Sequence, residues 1–289
     1  MYNIMLYNIF FSGDFGVNYK ITLAGDLGSG KSTVSDLITS RNGAEYYSTG
    51  AIVRRLADEH GIDVVEMNKL METDPVYDKE VDDGLVKLSD IDKNMIIDSR
   101  MAWHFVRENF SVYLTTDLDV SAARIFMANR GQEKFSDVDE TAKKIKERKQ
   151  SESKRYKEKY GVDCKELSNY ALVIDTTYAS PEEICDRILR SADMWQVDRS
   201  YRGCFICPSR LMYAIDGVNL ELISALARSL ECGEDIPEVK VFYHNDDFYV
   251  SEGVECAIAY SLCDMTFVPC TLVKGTPDGK EYVRMKNSL

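Results

Sequence analysis

Residues 19–25 read Tyr-Lys-Ile-Thr-Leu-Ala-Gly, a short apolar, β-rich run that ends in a glycine cluster, and the apolar positions behind it, Val34, Leu37 and Ile38, recur at helical spacing. The pattern predicts strand, loop, helix. Similar β-type runs recur at residues 95–98, 111–115 and 171–176, separated by long helical stretches, which is the alternation of a parallel sheet covered by helices. Ser180-Pro181-Glu182-Glu183 then opens a last helix, with serine as cap, proline in the first turn and acids at the positive helix end; it is expected to run to about residue 191. The weakly patterned stretch 193–202 reads as a linker. Beyond it the pattern predicts a helix over 218–230, a hairpin of 239–243 and 248–250 around Asn245-Asp246-Asp247, a helix over 253–262 and a strand over 267–273.

The predicted fold is therefore an α/β domain over residues 19–192, with a parallel sheet and helices on both faces, followed by a small α+β domain over 203–289. A length of 289 residues agrees with two domains, each with its own core. The apolar opening within residues 1–18 lacks the basic region and cleavage site of a secretion signal, and is read as an added strand, a partner-contacting arm or an over-long reading-frame start. No run approaches the length needed to cross a bilayer. Without an export signal, the eight cysteines read as reduced thiols of a cytoplasmic protein, and Cys204-Phe-Ile-Cys207 lacks the second pair a zinc site needs. The net charge of −13 disfavours general nucleic-acid binding.

Gly25-Asp26-Leu27-Gly28-Ser29-Gly30-Lys31-Ser32 satisfies G-x-x-x-x-G-K-[ST] in full, between a predicted strand and a predicted helix. In this P-loop, Gly25, Leu27, Gly28, Ser29 and Gly30 turn backbone N–H groups toward the phosphates of ATP. Lys31 reaches the β- and γ-phosphates, Ser32 supplies a hydroxyl to Mg²⁺, and Thr33 completes the ATP-binding turn. A P-loop alone names only the donor nucleotide. Downstream, residues 143–159 carry nine lysines and arginines against three glutamates, with Arg148, Glu152 and Arg155 at i, i+4 and i+7 on one helix face. Two guanidiniums on a hinged lid would cover a transferring phosphoryl group and keep water out.

Several motifs, in order, resemble the cytidylate kinases. Ser48-Thr49-Gly50-Ala51-Ile52-Val53-Arg54-Arg55 is similar to their monophosphate-binding segment, in which a hydroxyl and an arginine about one helical turn later contact the acceptor; Thr49 and Arg54 fall on those positions. Asp98-Ser99-Arg100 resembles the segment whose arginine also binds the acceptor phosphate. Asp74-Pro75 with Asp78 and Asp82, and the run from Arg148 to Tyr156 followed by Tyr160-Gly161-Val162-Asp163, resemble the archaeal-type branch. The resemblance spans about residues 19–189 and implies transfer from ATP with Mg²⁺ to a nucleoside monophosphate, CMP or dCMP. It implies Lys31, Arg130, Arg148 and Arg155 as catalytic, and Thr49, Arg54, Arg100, Arg148, Glu152 and Arg155 as acceptor-binding. Arg124 and Arg130 compete for the role of upstream lid arginine, Arg130 favoured by its place before Gly131. Glu152 departs from the aspartate usual in bacterial relatives, and Ala171 from a commonly acidic residue, which bears on the acceptor base more than on the reaction.

The last part of the chain resembles the ParB/sulfiredoxin fold in its hydrophobics and turns, with Cys256 where a phosphate-binding arginine would stand, so that a phosphate site there is expected to be lost. A regulatory or assembly role, through oligomer or protein contacts, is left for it. Two other readings stay open: another small-molecule kinase on the same scaffold, and an ATP-switched binding module. Convergence of Arg54, Arg100, Arg148 and Arg155 on one pocket facing Lys31 favours a kinase, and a scattered set favours the switch. On this reading a chain ended near Ala192 should still fold and phosphorylate.

Overall fold

The computed structural model describes residues 19–62, 66–67, 70–71, 75–128, 137–214 and 217–285. The extension over 1–18, Asp74 and Arg130 with Gly131 lie outside the described residues.

The first strand, β1 (Lys20–Gly25), is buried from Ile21 onward and pairs in parallel on both sides. One neighbour is β3 (Met95–Asp98), with Met95 opposite Lys20; the other is β4 (Asn109–Thr115), with Asn109 opposite Lys20. Outside these lie β2 (Glu45–Ser48), parallel to β3, and β5 (Leu172–Asp175), parallel to β4. Strands covered on both faces need no polar alternation, which is why Met-Ile-Ile-Asp and Leu-Val-Ile-Asp are continuous apolar runs. Ile96 packs in one cluster with Val34 and Ile38 of α1 (Lys31–Asn42) and Ile184 and Ile188 of α6 (Pro181–Val197). Its neighbours Met95 and Ile97 pack in another with Leu85 and Leu88 of α3 (Pro75–Leu88). Helices thus cover both faces, and the P-loop α/β class expected from the sequence is present. Further helices of this part among the described residues include α2 (Thr49–His60), α4 (Leu118–Met127) and α5 (Val138–Tyr160), with a one-turn helix at Ala102–Phe105. No helix among the described residues is long and apolar enough to cross a membrane.

The first half of the stretch expected to be a linker, residues 193–197, is helical. Helix α6 opens on the expected Ser180/Glu183 capping box but continues to Val197, because Trp195 gives it an apolar anchor on Phe110, ring centroids 5.7 Å apart. Arg199 then lies over the Trp195 ring at 3.8 Å, and the Tyr201 hydroxyl lies 3.1 Å from that of Ser191. From there β6 (Gly203–Ile206) joins β5 in parallel, Gly203 opposite Leu172. The backbone comes close to its neighbours there: a Cβ would stand 2.8 Å from Leu172 Cδ1 and 2.7 Å from the Tyr201 hydroxyl, so a larger residue would require those side chains to shift.

The sheet continues antiparallel through β10 (Val268–Leu272), then β8 (Val239–His244), β9 (Asp247–Glu252), β7 (Leu211–Ala214) and β11 (Tyr282–Arg284), giving one 11-stranded sheet in the order β11-β7-β9-β8-β10-β6-β5-β4-β1-β3-β2. Helices α7 (Leu220–Glu231) and α8 (Val254–Leu262) pack on one another beside it. Instead of two separate cores, a single cluster runs from Ala24 and Tyr113 beside the P-loop through Val173 and Ile206 to Val241, Phe248 and Val268. Cys204, Cys207 and Cys256 are buried in this part, and burial pushes the Cys204 thiol up to about 12.

An ionic network stitches the two parts together. Arg210, 3% exposed, places Nη1 3.6 Å from Oδ1 of the fully buried Asp175 at the end of β5. Arg284 reaches Asp117 and Asp247, each at 2.9 Å.

Candidate active site

The P-loop leaves β1 at Gly25, whose φ of +145° and close approach to Leu114, where a Cβ would stand 2.2 Å from the carbonyl oxygen, exclude any side chain. The Asp26 N–H donates to that same Leu114 carbonyl at 2.9 Å, and the Ser29 hydroxyl closes the turn on the Asp26 carbonyl at 2.8 Å. Gly30, left-handed at φ 83°, sets the entry into α1, whose first residues are Lys31, Ser32 and Thr33. The backbone N–H groups of this turn and the positive end of α1 make an anion cradle.

Lys31 donates Nζ to the carbonyls of Asp26, at 2.8 Å, and Gly25, at 3.3 Å. Burial and the like charge of Arg100 lower its ammonium to about 8. In the free protein Lys31 is therefore charged at neutral pH and loses its proton as pH rises through about 8. Since kcat/KM for ATP reports the free enzyme, it should fall above about pH 8, whereas kcat at saturating ATP should hold to higher pH because the triphosphate favours the ammonium. A profile of kcat/KM flat to pH 10 would contradict this.

The predicted acceptor residues are partly brought together. Arg100 donates Nε to Glu152 Oε2 and Arg148 donates Nε to Oε1, both at 2.9 Å, so each carboxylate oxygen carries one guanidinium. Burial alone would raise the Glu152 carboxyl, but the two arginines hold it at about 2. Arg100 also donates to the Gly25 carbonyl, which joins the lid helix α5 to the P-loop. Arg155, one turn further on, donates to the Tyr156 hydroxyl at 3.2 Å and lies over that ring at 5.0 Å. Thr49 donates its hydroxyl to the Asp98 carbonyl at 3.4 Å, at the end of β3. Arg54 stands apart: it is exposed on α2, its guanidinium over Gly50 rather than on Glu152. The set expected to converge is thus a cluster of Arg100, Glu152 and Arg148, with Arg155 beside it and Arg54 outside.

Other residues hold the frame. Asp78 pairs with Lys159, and Asp82 accepts from the Tyr160 hydroxyl at 2.8 Å, so these aspartates dock the C-terminal end of α5 on α3. Arg124 donates to the carbonyls of Thr176, at 2.8 Å, Thr177, at 3.0 Å, and Gly28, at 3.4 Å, linking α4 to the P-loop and to the loop after β5. Its rival, Arg130, lies outside the described residues.

The sequence reading missed the floor of the site. Asp26 is buried, and its carboxylate accepts from the Tyr113 hydroxyl, the Thr115 hydroxyl, the Thr116 N–H and Lys149 Nζ, at 3.2, 3.1, 3.1 and 2.8 Å. Burial would raise this carboxyl, but Lys149 holds it below its ordinary value. A carboxylate at a free position of a P-loop was a readable signal; its partners, some 87 to 123 positions away, were not. Asp26, Arg100, Lys149, Glu152 and Tyr156 line a small cavity of about 30 Å³ beside Gly25.

Residues 20–178 match the model of the cytidylate kinase-like family. The chain belongs to that family. It is 39% identical over 172 residues to a cytidylate kinase of Sulfolobus acidocaldarius, covering 59% of this chain and 92% of that protein. It is 34% identical over 166 residues to a cytidylate kinase of Sulfurisphaera tokodaii, covering 57% and 89%. A third relative, an S-adenosylmethionine-dependent nucleotide dehydratase of Lacinutrix mariniflava, is 34% identical over 171 residues, covering 60% of this chain but only 35% of its own length. The family match ends before α6 and therefore before β6 and everything beyond it.

Proposed function

We propose that the chain transfers the γ-phosphoryl group of ATP, with Mg²⁺, to a nucleoside monophosphate, CMP or dCMP. The observation that carries this reading is the meeting of Lys31 and Arg100 at the Gly25 carbonyl, with Arg148 held on the opposite oxygen of Glu152. Bringing two polyanions together requires such cations around the reacting group. Named cytidylate kinases that align along nearly their whole length support the choice of acceptor.

In this mechanism the P-loop N–H groups and Lys31 bind the donor phosphates, while Arg100 and Arg148 hold the acceptor phosphate in line. Arg155, and Arg130 on the lid segment, cover the transferring group and exclude water. Ser32, exposed in the first turn of α1, offers one hydroxyl, and no cluster of three or more metal-ligating side chains occurs among the described residues. That donor set fits Mg²⁺, which keeps most of its waters and arrives with nucleotide phosphates. When bound, the ion supplies charge neutralisation between the β- and γ-phosphates. Residues 203–289 are proposed as a regulatory or assembly part, open to contacts with a second copy or a partner protein.

The convergence of Arg100, Arg148 and Glu152 favours turnover over an ATP-driven switch. Arg54 tests the acceptor assignment. Arg54→Ala should raise KM for the monophosphate by about 10- to 100-fold, the worth of a charged hydrogen bond, and leave KM for ATP within about twofold. Steady-state kinetics with each nucleotide varied would check it, and equal effects on both would show Arg54 to be misplaced.

A further inference from the structure

The hairpin that links β8 and β9 turns at Asn245 and Asp246, both in the left-handed region at φ 51° and 68°. Asparagine and aspartate tolerate that conformation better than other side chains, so the two residues suit the turn. The turn does not face open solvent. Asp246 Oδ1 accepts from the Tyr243 hydroxyl at 2.6 Å and from Lys165 Nζ at 2.7 Å, and it lies 3.6 Å from Lys149 Nζ. Its backbone carbonyl accepts from Arg210 at 2.8 Å, which fixes the turn from behind. Lys149 belongs to α5, the lid helix; its side chain is 11% exposed and bonds Asp26 at 2.8 Å, and the Asp26 carbonyl in turn receives Lys31. A continuous run of contacts therefore leads from the C-terminal hairpin to the P-loop lysine: Asp246, Lys149, Asp26, Lys31.

We infer that Asp246 is a positioning residue for phosphoryl transfer, holding Lys149 and with it the lid helix against the P-loop, so that the C-terminal hairpin completes the kinase site. The charge pattern agrees. Lys149 and Lys165 face Asp26 and Asp246, and removing Asp246 leaves two ammonium groups to share one carboxylate. Lys149 then loses its second carboxylate, and the tie between this turn of α5 and the P-loop is left to Asp26 and the Arg100–Glu152 pair. Residues 203–289 act on the reaction by this route without touching either nucleotide.

The inference rests on the kinase reading, so its test has two readouts. Asp246→Asn keeps the turn and removes the charge. In the full chain this variant should lower kcat about tenfold, with KM for ATP changed less than about threefold. Combined with Lys149→Met, it should add little to the loss of the single lysine variant, because both break one contact. Independently of turnover, amide hydrogen exchange over residues 138–160 should become faster in Asp246→Asn while the melting temperature stays within a few degrees of the parent. Unaltered kcat in an active protein, additive losses in the double variant, or unaltered exchange in α5 would each overturn the inference. If the unaltered chain phosphorylates no monophosphate, the kinase reading fails and the exchange measurement alone decides this one.

Discussion

Replacing Lys31 by alanine should abolish phosphoryl transfer, with kcat lower by at least about 10³-fold, while the protein melts within a few degrees of the parent. The size of the effect follows from place and charge. The ammonium reaches across the mouth of the P-loop and spends its hydrogen bonds on two carbonyls of that loop, those of Gly25 and Asp26. It forms no part of the packed clusters beneath the sheet. In a water-poor site, a cation aimed at the transferring group is worth several kilocalories in the transition state and little to the fold. Losing it also relieves the repulsion from Arg100 that lowers its own affinity for a proton. Rates measured with ATP and the preferred monophosphate, beside a thermal melt, would check both halves. Turnover within tenfold of the parent would remove Lys31 from the mechanism.

Ending the chain after Ala192 should cost the fold itself, contrary to the expectation from sequence. Three supports go at once. Phe110 loses Trp195, β5 becomes an open edge, and Tyr113, Tyr170 and Val173 lose the apolar partners that β6, β8 and β10 supply. Trp195 is only partly buried, and an aromatic pair such as Trp195 on Phe110 is worth about 0.5–1.5 kcal/mol beyond its area burial. Most of the loss therefore falls on the apolar partners of Tyr113, Tyr170 and Val173, against a typical total stability of about 5–15 kcal/mol. An unpaired, apolar edge strand beside an uncovered face is also an aggregation template. The truncated chain should therefore be recovered as aggregate, or as a species without a cooperative melt, and should show under about 1% of the parent rate. A soluble fragment with a sharp thermal transition and parent-like activity would mean that residues 19–192 are independent after all. Trp195→Ala in the full chain isolates the first of the three supports.

The contrast between these two predictions marks what the sequence made legible. The P-loop was readable because all its fixed positions fall within eight consecutive residues and need only a strand before and a helix after. The Arg148, Glu152, Arg155 stripe was readable because helical periodicity alone puts it on one face. That Gly203-Cys-Phe-Ile206 joins the first sheet was not readable, since its partner β5 lies some thirty positions upstream. β2, exposed and polar at the other edge of the sheet, was missed for the same reason. The end of α6 was set too early because the side chain that extends it, Trp195, finds its partner in Phe110 of β4. Asp246 was visible as a turn residue; its chemistry depends on Lys149 and Lys165, 97 and 81 positions away. Local rules gave the nucleotide-binding half, and pairings between distant segments decided how the rest was joined to it.

The central claim, ATP-dependent phosphorylation of a pyrimidine monophosphate, is tested most directly by initial rates of the purified full chain with Mg²⁺, ATP and a panel of CMP, dCMP, UMP, AMP, GMP and a non-nucleotide acceptor such as shikimate. The account predicts rapid ADP formation with CMP or dCMP, loss of activity on chelation of Mg²⁺, and kcat/KM at least about tenfold lower for the purine nucleotides, as a pocket that hydrogen-bonds one base disfavours others. ADP formation with shikimate but with no monophosphate, or ATP binding with no turnover on any acceptor, would contradict it.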